Sequence, residues 1–186
     1  MREAMNNLPN LLTFARLALV PIVAYCIVSR NYAAAATVFL VAALSDLADG
    51  YIARRFKLVS RLGALLDPVA DKLNMFVTTV ALAWQGLLPI WLVIAIVARD
   101  IAIVGGVLAY RVIGRRLEMK PSGLSKVNTF FEFSVLLLVL LAAAQFIQST
   151  AWLPPLFVVV LATVLASSAQ YMWLWMRGRL ESYPTR

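Results

Sequence analysis

Six blocks of apolar residues follow one another along the chain: Leu8–Val28, Tyr32–Arg54, Leu62–Gly86, Leu88–Val112, Val127–Gln148 and Trp152–Met176. At 1.5 Å per helical residue, about 20 such residues cross a hydrocarbon core of roughly 30 Å. The connections are short and hold turn formers: Asn31, Gly86, Pro89, Gly114, Pro121, Gly123 and Pro154-Pro155. The pattern predicts an all-α integral membrane protein with six transmembrane helices in a single domain over residues 1–186. No internal repeat is visible. The first block is longer than a signal-peptide core and lacks a clear small-x-small cleavage site. It reads as a retained span.

The second block departs from this pattern. From Tyr32 to Ser45 there are 14 residues, too few to cross. The helix must therefore continue through Asp46 and Asp49. The third helix, starting near Leu62, must likewise carry Asp67 and Asp71. Only five aspartates occur in the chain, and four lie in this one stretch. Asp46 and Asp49 are spaced i, i+3; Asp67 and Asp71 are spaced i, i+4. Each pair shares a helix face. A short connection makes the two helices antiparallel neighbours, so the pairs can converge at one depth.

Composition narrows the chemistry. The chain is 62% hydrophobic, with mean hydropathy +0.84, which places it in the integral-membrane class. It has no histidine. That excludes Ser-His-Asp and Cys-His catalysis, two-histidine phospholipase chemistry and histidine metal ligands. Proton transfer falls to carboxylate, lysine, tyrosine or water. The single Cys26 gives no disulfide framework and reads as a packed or lipid-facing side chain.

The net charge of +8 reports topology and attraction to anionic lipid. No basic stretch is interleaved with exposed aromatics, so nucleic acid is not an expected partner. Arg54, Arg55, Lys57 and Arg61 fall in the connection after the second span. Arg115, Arg116, Lys120 and Lys126 fall in the one after the fourth, and Arg177, Arg179 and Arg186 in the tail. The positive-inside rule puts both termini and these connections in the cytoplasm. A bacterial inner membrane is the expected location.

Four carboxylates converging at low dielectric repel one another. Divalent cations are the simplest compensation. Oxygen ligands without His or Cys favour Mg²⁺, with Mn²⁺ or Ca²⁺ as alternatives. Two ions suit four acids and serve phosphoryl-type displacement. Gly50, Ala53 and Gly63 leave room for a bulky ligand, or simply let helices pack closely. Arg54 stands where a diphosphate would want a cation. A proton relay or a carrier's cation site would also use intramembrane acids. It has no need of Gly50, Ala53, Arg54 and Gly63 at fixed offsets.

The stretch reads D46-x2-D49-G50-x2-A53-R54-x8-G63-x3-D67-x3-D71. It resembles the signature of the CDP-alcohol phosphatidyltransferases at every defined position. The resemblance implies a six-helix membrane enzyme, commonly a homodimer, with its site open to the cytoplasmic leaflet. It implies that Asp46, Asp49, Asp67 and Asp71 hold two divalent ions, Mg²⁺ or Mn²⁺, which grip the diphosphate of a CDP-linked lipid. Gly50, Ala53, Arg54 and Gly63 would line the cytidine and diphosphate pocket. Ser60 falls where some relatives use a hydroxyl, and Asp71 matches the general base.

The opening "NLPNLLTFARLALVPIVAY" resembles phosphatidylglycerophosphate synthases and the related cardiolipin synthases alike. There Asn10, Thr13 and Arg16 form an i+3 polar stripe, which either approaches the nucleotide or bonds a neighbouring helix. "VARDIAIVGGVLAYR" and "MKPSGLSKVNTF" resemble the CMP-forming cardiolipin synthases. Phosphatidylglycerophosphate synthases tend to show Arg-Glu in the first segment, and Gly-Lys followed by Lys-Thr in the second. The resemblance spans roughly residues 6 to 135; the last helix says little.

That resemblance implies CDP-diacylglycerol as donor and phosphatidylglycerol as acceptor, with release of CMP. The alternative acceptor is glycerol 3-phosphate. An acceptor phosphate needs cations. Arg99 lies within the fourth span, where an unpaired charge is costly, so it is functional or paired. Asp100 projects elsewhere on the helix and is not its automatic partner. Arg111 and Lys126 are further acceptor candidates, with lipid-headgroup anchoring as the plainer role.

Overall fold

The computed structural model describes the backbone of residues 2–56, 61–112 and 123–176, and side chains within 15–45, 70–103 and 123–173 together with Gly105. Six helices follow in order: α1 (Arg2–Val28), α2 (Tyr32–Phe56), α3 (Arg61–Trp84), α4 (Ile90–Val112), α5 (Gly123–Ala143) and α6 (Leu153–Met176). Among the described residues there is no strand. Four of the six predicted blocks end within two residues of the helices. Two shift. The first helix begins six residues earlier, at Arg2 in place of Leu8. The fifth runs Gly123–Ala143 in place of Val127–Gln148.

The shift of α5 has a backbone cause. Gln145 takes a left-handed φ of 64°. Phe146 N–H then donates to the Leu141 carbonyl, and Gln145 N–H to that of Ala142. This paired 6→1 and 5→2 arrangement stops a helix. An apolar tail therefore continues past the helix end, where hydropathy alone sees no boundary. α1 ends the same way at Arg30 (φ 59°) and α3 at Gly86 (φ 73°). Asn31 next caps α2, its side-chain oxygen accepting from Ala34 N–H at 3.2 Å.

Two compact units emerge. The first is Met1–Leu88 with Leu136–Thr150; the second is Pro89–Val135 with Ala151–Arg186. In the first, α1 packs against both α2 and α3 more extensively than these two pack on each other. Val20, Val23 and Ile27 of α1 are buried, as are Ala35, Phe39 and Ala42 of α2 and Met75, Ala81 and Leu82 of α3. Gln85 donates to the Val28 carbonyl at 3.2 Å, tying the ends of α1 and α3 together. These two helices therefore run parallel. α2 reverses after the turn at 29–31 and is antiparallel to both.

In the second unit α4 packs on α6, with Leu92, Val93, Ile96, Val160 and Val164 buried. Outward faces are apolar on all six helices. Ile22, Leu44, Phe76, Ile94, Phe130 and Leu165 are examples, one from each. An exposed apolar surface on every element marks a protein that meets lipid. Among the described residues, two helices are long and apolar enough to cross a membrane by themselves, Gly123–Ala143 and Leu153–Trp173. Ala15–Val28 and Tyr32–Ser45 form shorter apolar stretches.

Candidate functional site

The buried side of each helix in the first unit changes character along its length. Toward the Gln85–Val28 end it is apolar. On α1 the buried register 27, 23, 20 reaches Arg16, which is only 2% exposed. Thr13 and Asn10 follow at three-residue steps. On α2 positions 35, 39 and 42 are buried, and Asp46, Asp49 and Ala53 come later on the same helix. On α3 the buried register runs from Leu82 through Thr78 and Asn74 to Asp71, which is half-buried; Asp67 comes one turn earlier on the same helix.

Helix rise converts these positions to heights above the closed end. Counted from Tyr32 on α2, Asp46 stands about 21 Å and Asp49 about 26 Å along the axis. Counted back from Trp84 on α3, Asp71 stands about 20 Å and Asp67 about 26 Å. On α1, Arg16, Thr13 and Asn10 stand about 18, 22 and 27 Å before Val28. Because α2 runs against α1 and α3, these heights share one direction. The two acid pairs are level with each other and with the polar stripe of α1. Equal heights are what convergence at one depth would require of the backbone; the side chains of Asp46, Asp49 and Asp67 lie outside the described ones.

Gly50, Ala53 and Arg54 lie on α2, and Gly63 at the start of α3. Arg61 opens α3, where a connection was expected. The side chains of Asn10, Thr13, Asp46, Asp49, Gly50, Ala53, Arg54, Gly63 and Asp67 lie outside the described ones. Ser60 lies outside the described residues altogether, as do Arg115, Arg116 and Lys120. A set of four carboxylates without nitrogen or sulfur donors is one that would suit Mg²⁺ or Mn²⁺.

Sequence reasoning missed Asn74, Thr78 and Thr79, all buried on α3 just below Asp71. The Asn74 carbonyl oxygen and both threonine hydroxyls have no hydrogen-bond partner among the described residues. Their spacing on an apolar helix was the available signal.

The second unit holds a polar seam. Arg99 is 4% exposed. Its Nη1 donates to Asp100 Oδ1 at 2.7 Å, and its Nη2 to Ser125 Oγ at 2.8 Å and Ser167 Oγ at 3.3 Å. Asp100, which adjacency in sequence did not make the automatic partner of Arg99, is its partner in the structure. Neighbouring residues on a helix diverge by about 100°, but the long arginine stem curls back to its neighbour's short carboxylate. Lys126, expected in a connection, stands exposed in the first turn of α5. Arg111 lies near the end of α4, and its side chain is outside the described ones.

Deeper along α5, Asn128 and Glu132 are 0% and 1% exposed. Asn128 Nδ2 donates to Glu132 Oε2 at 3.4 Å. Thr163 Oγ1 lies 3.0 Å from Asn128 Oδ1 and 2.8 Å from the Val160 carbonyl oxygen, one proton facing two acceptors. The last helix, which the sequence left silent, thus supplies Thr163 and Ser167 to the seam. Buried polar bonds between membrane helices contribute about 0.6 kcal/mol on average and at most about 1.7. Asn128→Ala is expected to lower stability within that range, read as an earlier midpoint in thermal unfolding in detergent. An unchanged midpoint would mean the seam does not hold α5 to α6.

The fold and the acidic stretch define a class: an all-helical, membrane-associated protein with four aspartates carried on two antiparallel helices. The CDP-alcohol phosphatidyltransferase family model matches residues 6–176, and the chain belongs to that family. The match continues through α6, beyond the stretch where resemblance was legible. The chain is 38% identical to the cardiolipin synthase (CMP-forming) / mitochondrial hydrolase fusion protein of Schizosaccharomyces pombe, over 92% of this chain and 31% of the relative. It is 33% identical to the cardiolipin synthase (CMP-forming) of Homo sapiens, over 89% of this chain and 60% of the relative. It is 34% identical to the CDP-diacylglycerol–glycerol-3-phosphate 3-phosphatidyltransferase of Aquifex aeolicus, over 67% of this chain and 70% of the relative. The chain thus spans less than two thirds of the length of these two cardiolipin synthases.

Proposed function

We propose that the protein transfers a phosphatidyl group from CDP-diacylglycerol to phosphatidylglycerol, releasing CMP and forming cardiolipin. The observation that carries this reading is the spacing of Asp46, Asp49, Asp67 and Asp71 on two successive helices of a chain of this family. The acceptor assignment draws on the segments at 97–111 and 119–130, and on relatives named as cardiolipin synthases that align with nearly the whole chain.

All six helices would span the membrane as one domain. The basic segments and the site would face the cytoplasm of a bacterial inner membrane. A homodimer is the expected assembly. The four aspartates would hold two Mg²⁺ or Mn²⁺ ions. Such ions supply charge neutralisation and electrophilic activation at a diphosphate.

The chain's own residues do the rest. Asn10, Thr13, Gly50, Ala53, Arg54, Ser60 and Gly63 seat the CDP headgroup, while the acyl tails stay in lipid. The terminal glycerol hydroxyl of phosphatidylglycerol forms a bond to the β-phosphorus. The bond from that phosphorus to the oxygen bridging to CMP breaks. Asp71 takes the hydroxyl proton as the bond forms. Arg54 offsets charge on the departing nucleotide. Arg99, with Lys126 and Arg111 toward the basic end, holds the acceptor phosphate. Without histidine or an activated serine or cysteine, the transfer is a direct displacement.

The test offers purified protein CDP-diacylglycerol with Mg²⁺ or Mn²⁺ and a panel of acceptors, reading CMP release and lipid product. Cardiolipin from phosphatidylglycerol is the expected product. Turnover with glycerol 3-phosphate alone would transfer the reading to phosphatidylglycerophosphate synthesis. Ion flux without CMP release would remove the enzymatic reading.

A further inference from the structure

The two segments that suggest the acceptor lie on successive helices, and they meet at one guanidinium. Arg99 and Asp100 come from the first segment and Ser125 from the second. Ser167, 42 residues further on in α6, completes the shell. Three helices thus hold one side chain. Nη1 is held by a carboxylate and Nη2 by two hydroxyls. The third nitrogen, Nε, is buried without a hydrogen-bond partner among the described residues. A buried guanidinium loses much if a donor is left unmade. This one is pinned on two nitrogens with a third edge unused.

We infer that Asp100, Ser125 and Ser167 are positioning residues that set the orientation of Arg99 and thereby the choice of acceptor. The inference rests on the reading of Arg99 as the acceptor-phosphate anchor. An arginine stem left loose has many rotamers, and its planar fork recognises a phosphate only when aimed. The shell removes that freedom before substrate arrives. The Asp100 carboxylate is more accessible than the Arg99 side chain, 22% against 3%. It therefore balances the cation from the outer side while both serines fix the far nitrogen. Asp100 sets charge as well as direction, and the serines set direction alone.

The test is a set of variants in the full-length protein, with kcat and KM measured separately for phosphatidylglycerol and CDP-diacylglycerol, and thermal unfolding measured beside them. Arg99→Ala is expected to raise KM for phosphatidylglycerol about 10- to 150-fold, the worth of a charge-assisted contact. Ser125→Ala, Ser167→Ala and Asp100→Asn should each raise it by a smaller factor, leaving KM for CDP-diacylglycerol unchanged. Ser125→Thr, which keeps the hydroxyl, should recover most of the loss. The pair Arg99→Ala/Ser125→Ala should be no worse than Arg99→Ala, because the serine acts only through the arginine.

If Arg99→Ala leaves KM for phosphatidylglycerol unchanged, the anchor reading is lost and the positioning inference with it. If Arg99→Ala raises it while the three shell variants do not, the anchor stands and the positioning inference is wrong. If the shell variants shift both KM values together with the unfolding midpoint, the shell is only structural. Additive losses in the double variant would likewise give Ser125 a role independent of Arg99.

Discussion

Asp46→Asn, Asp49→Asn and Asp67→Asn are each expected to remove more than about 99% of CMP release at limiting metal. Changing a group that merely orients a metal ligand already costs about 10- to 100-fold, and these residues are proposed as the ligands themselves. Asparagine keeps the size and one oxygen but removes the charge. At low dielectric that charge is the larger part of the attraction for a divalent ion. The loss should be partly reversed by raising Mg²⁺ or Mn²⁺, because affinity is the property that changes. Titration of metal against turnover, with folding checked by thermal unfolding, reads both effects. A variant with near-wild-type turnover at limiting metal would take that residue out of the ligand set.

The acids were legible in the sequence because a charge within an apolar helix has few bland explanations. The lengths of the apolar blocks forced them onto helices, and two helical spacings paired them. What the spacings could not give was the third helix. That α1 lies against both α2 and α3, with Arg16 buried and Asn10 and Thr13 level with the acids, depends on the Gln85–Val28 tie and the turn at 29–31. Neither has a periodic signature.

The seam of the second unit was less legible still. Ser125, Asn128, Glu132, Thr163 and Ser167 are separated by steps of three to four residues within their own helices. Small hydroxyl residues barely disturb a hydropathy profile, and α6, whose polar residues are chiefly Thr163, Ser167 and Ser168 with one Gln170, looks apolar. The Arg99–Asp100 pair could not be assumed from sequence for a different reason. Helical angle fixes where a Cβ points, not where a four-atom stem ends, so the adjacent pair could form all the same.

Asp71→Asn should fail differently from the other three aspartates. Asp71 is half-buried on α3, level with Asp46 and one turn from Asp67. Its proposed part is to take the proton from the attacking hydroxyl. An amide cannot do so, yet it retains an oxygen toward the ions. CDP-diacylglycerol should therefore still bind while kcat falls by about 10²- to 10⁴-fold, the usual cost of losing a general base. Metal affinity should weaken too, since the same carboxylate is a proposed ligand, so the comparison must be made at saturating metal. There the other three variants should regain part of their turnover, whereas Asp71→Asn should not. Measuring CDP-diacylglycerol binding and single-turnover CMP release side by side separates the two roles. Recovery of Asp71→Asn to within about tenfold of wild type at saturating metal would show that the missing function was metal binding alone, because general-base loss costs at least about 10²-fold. The proton acceptor would then have to be water or another group.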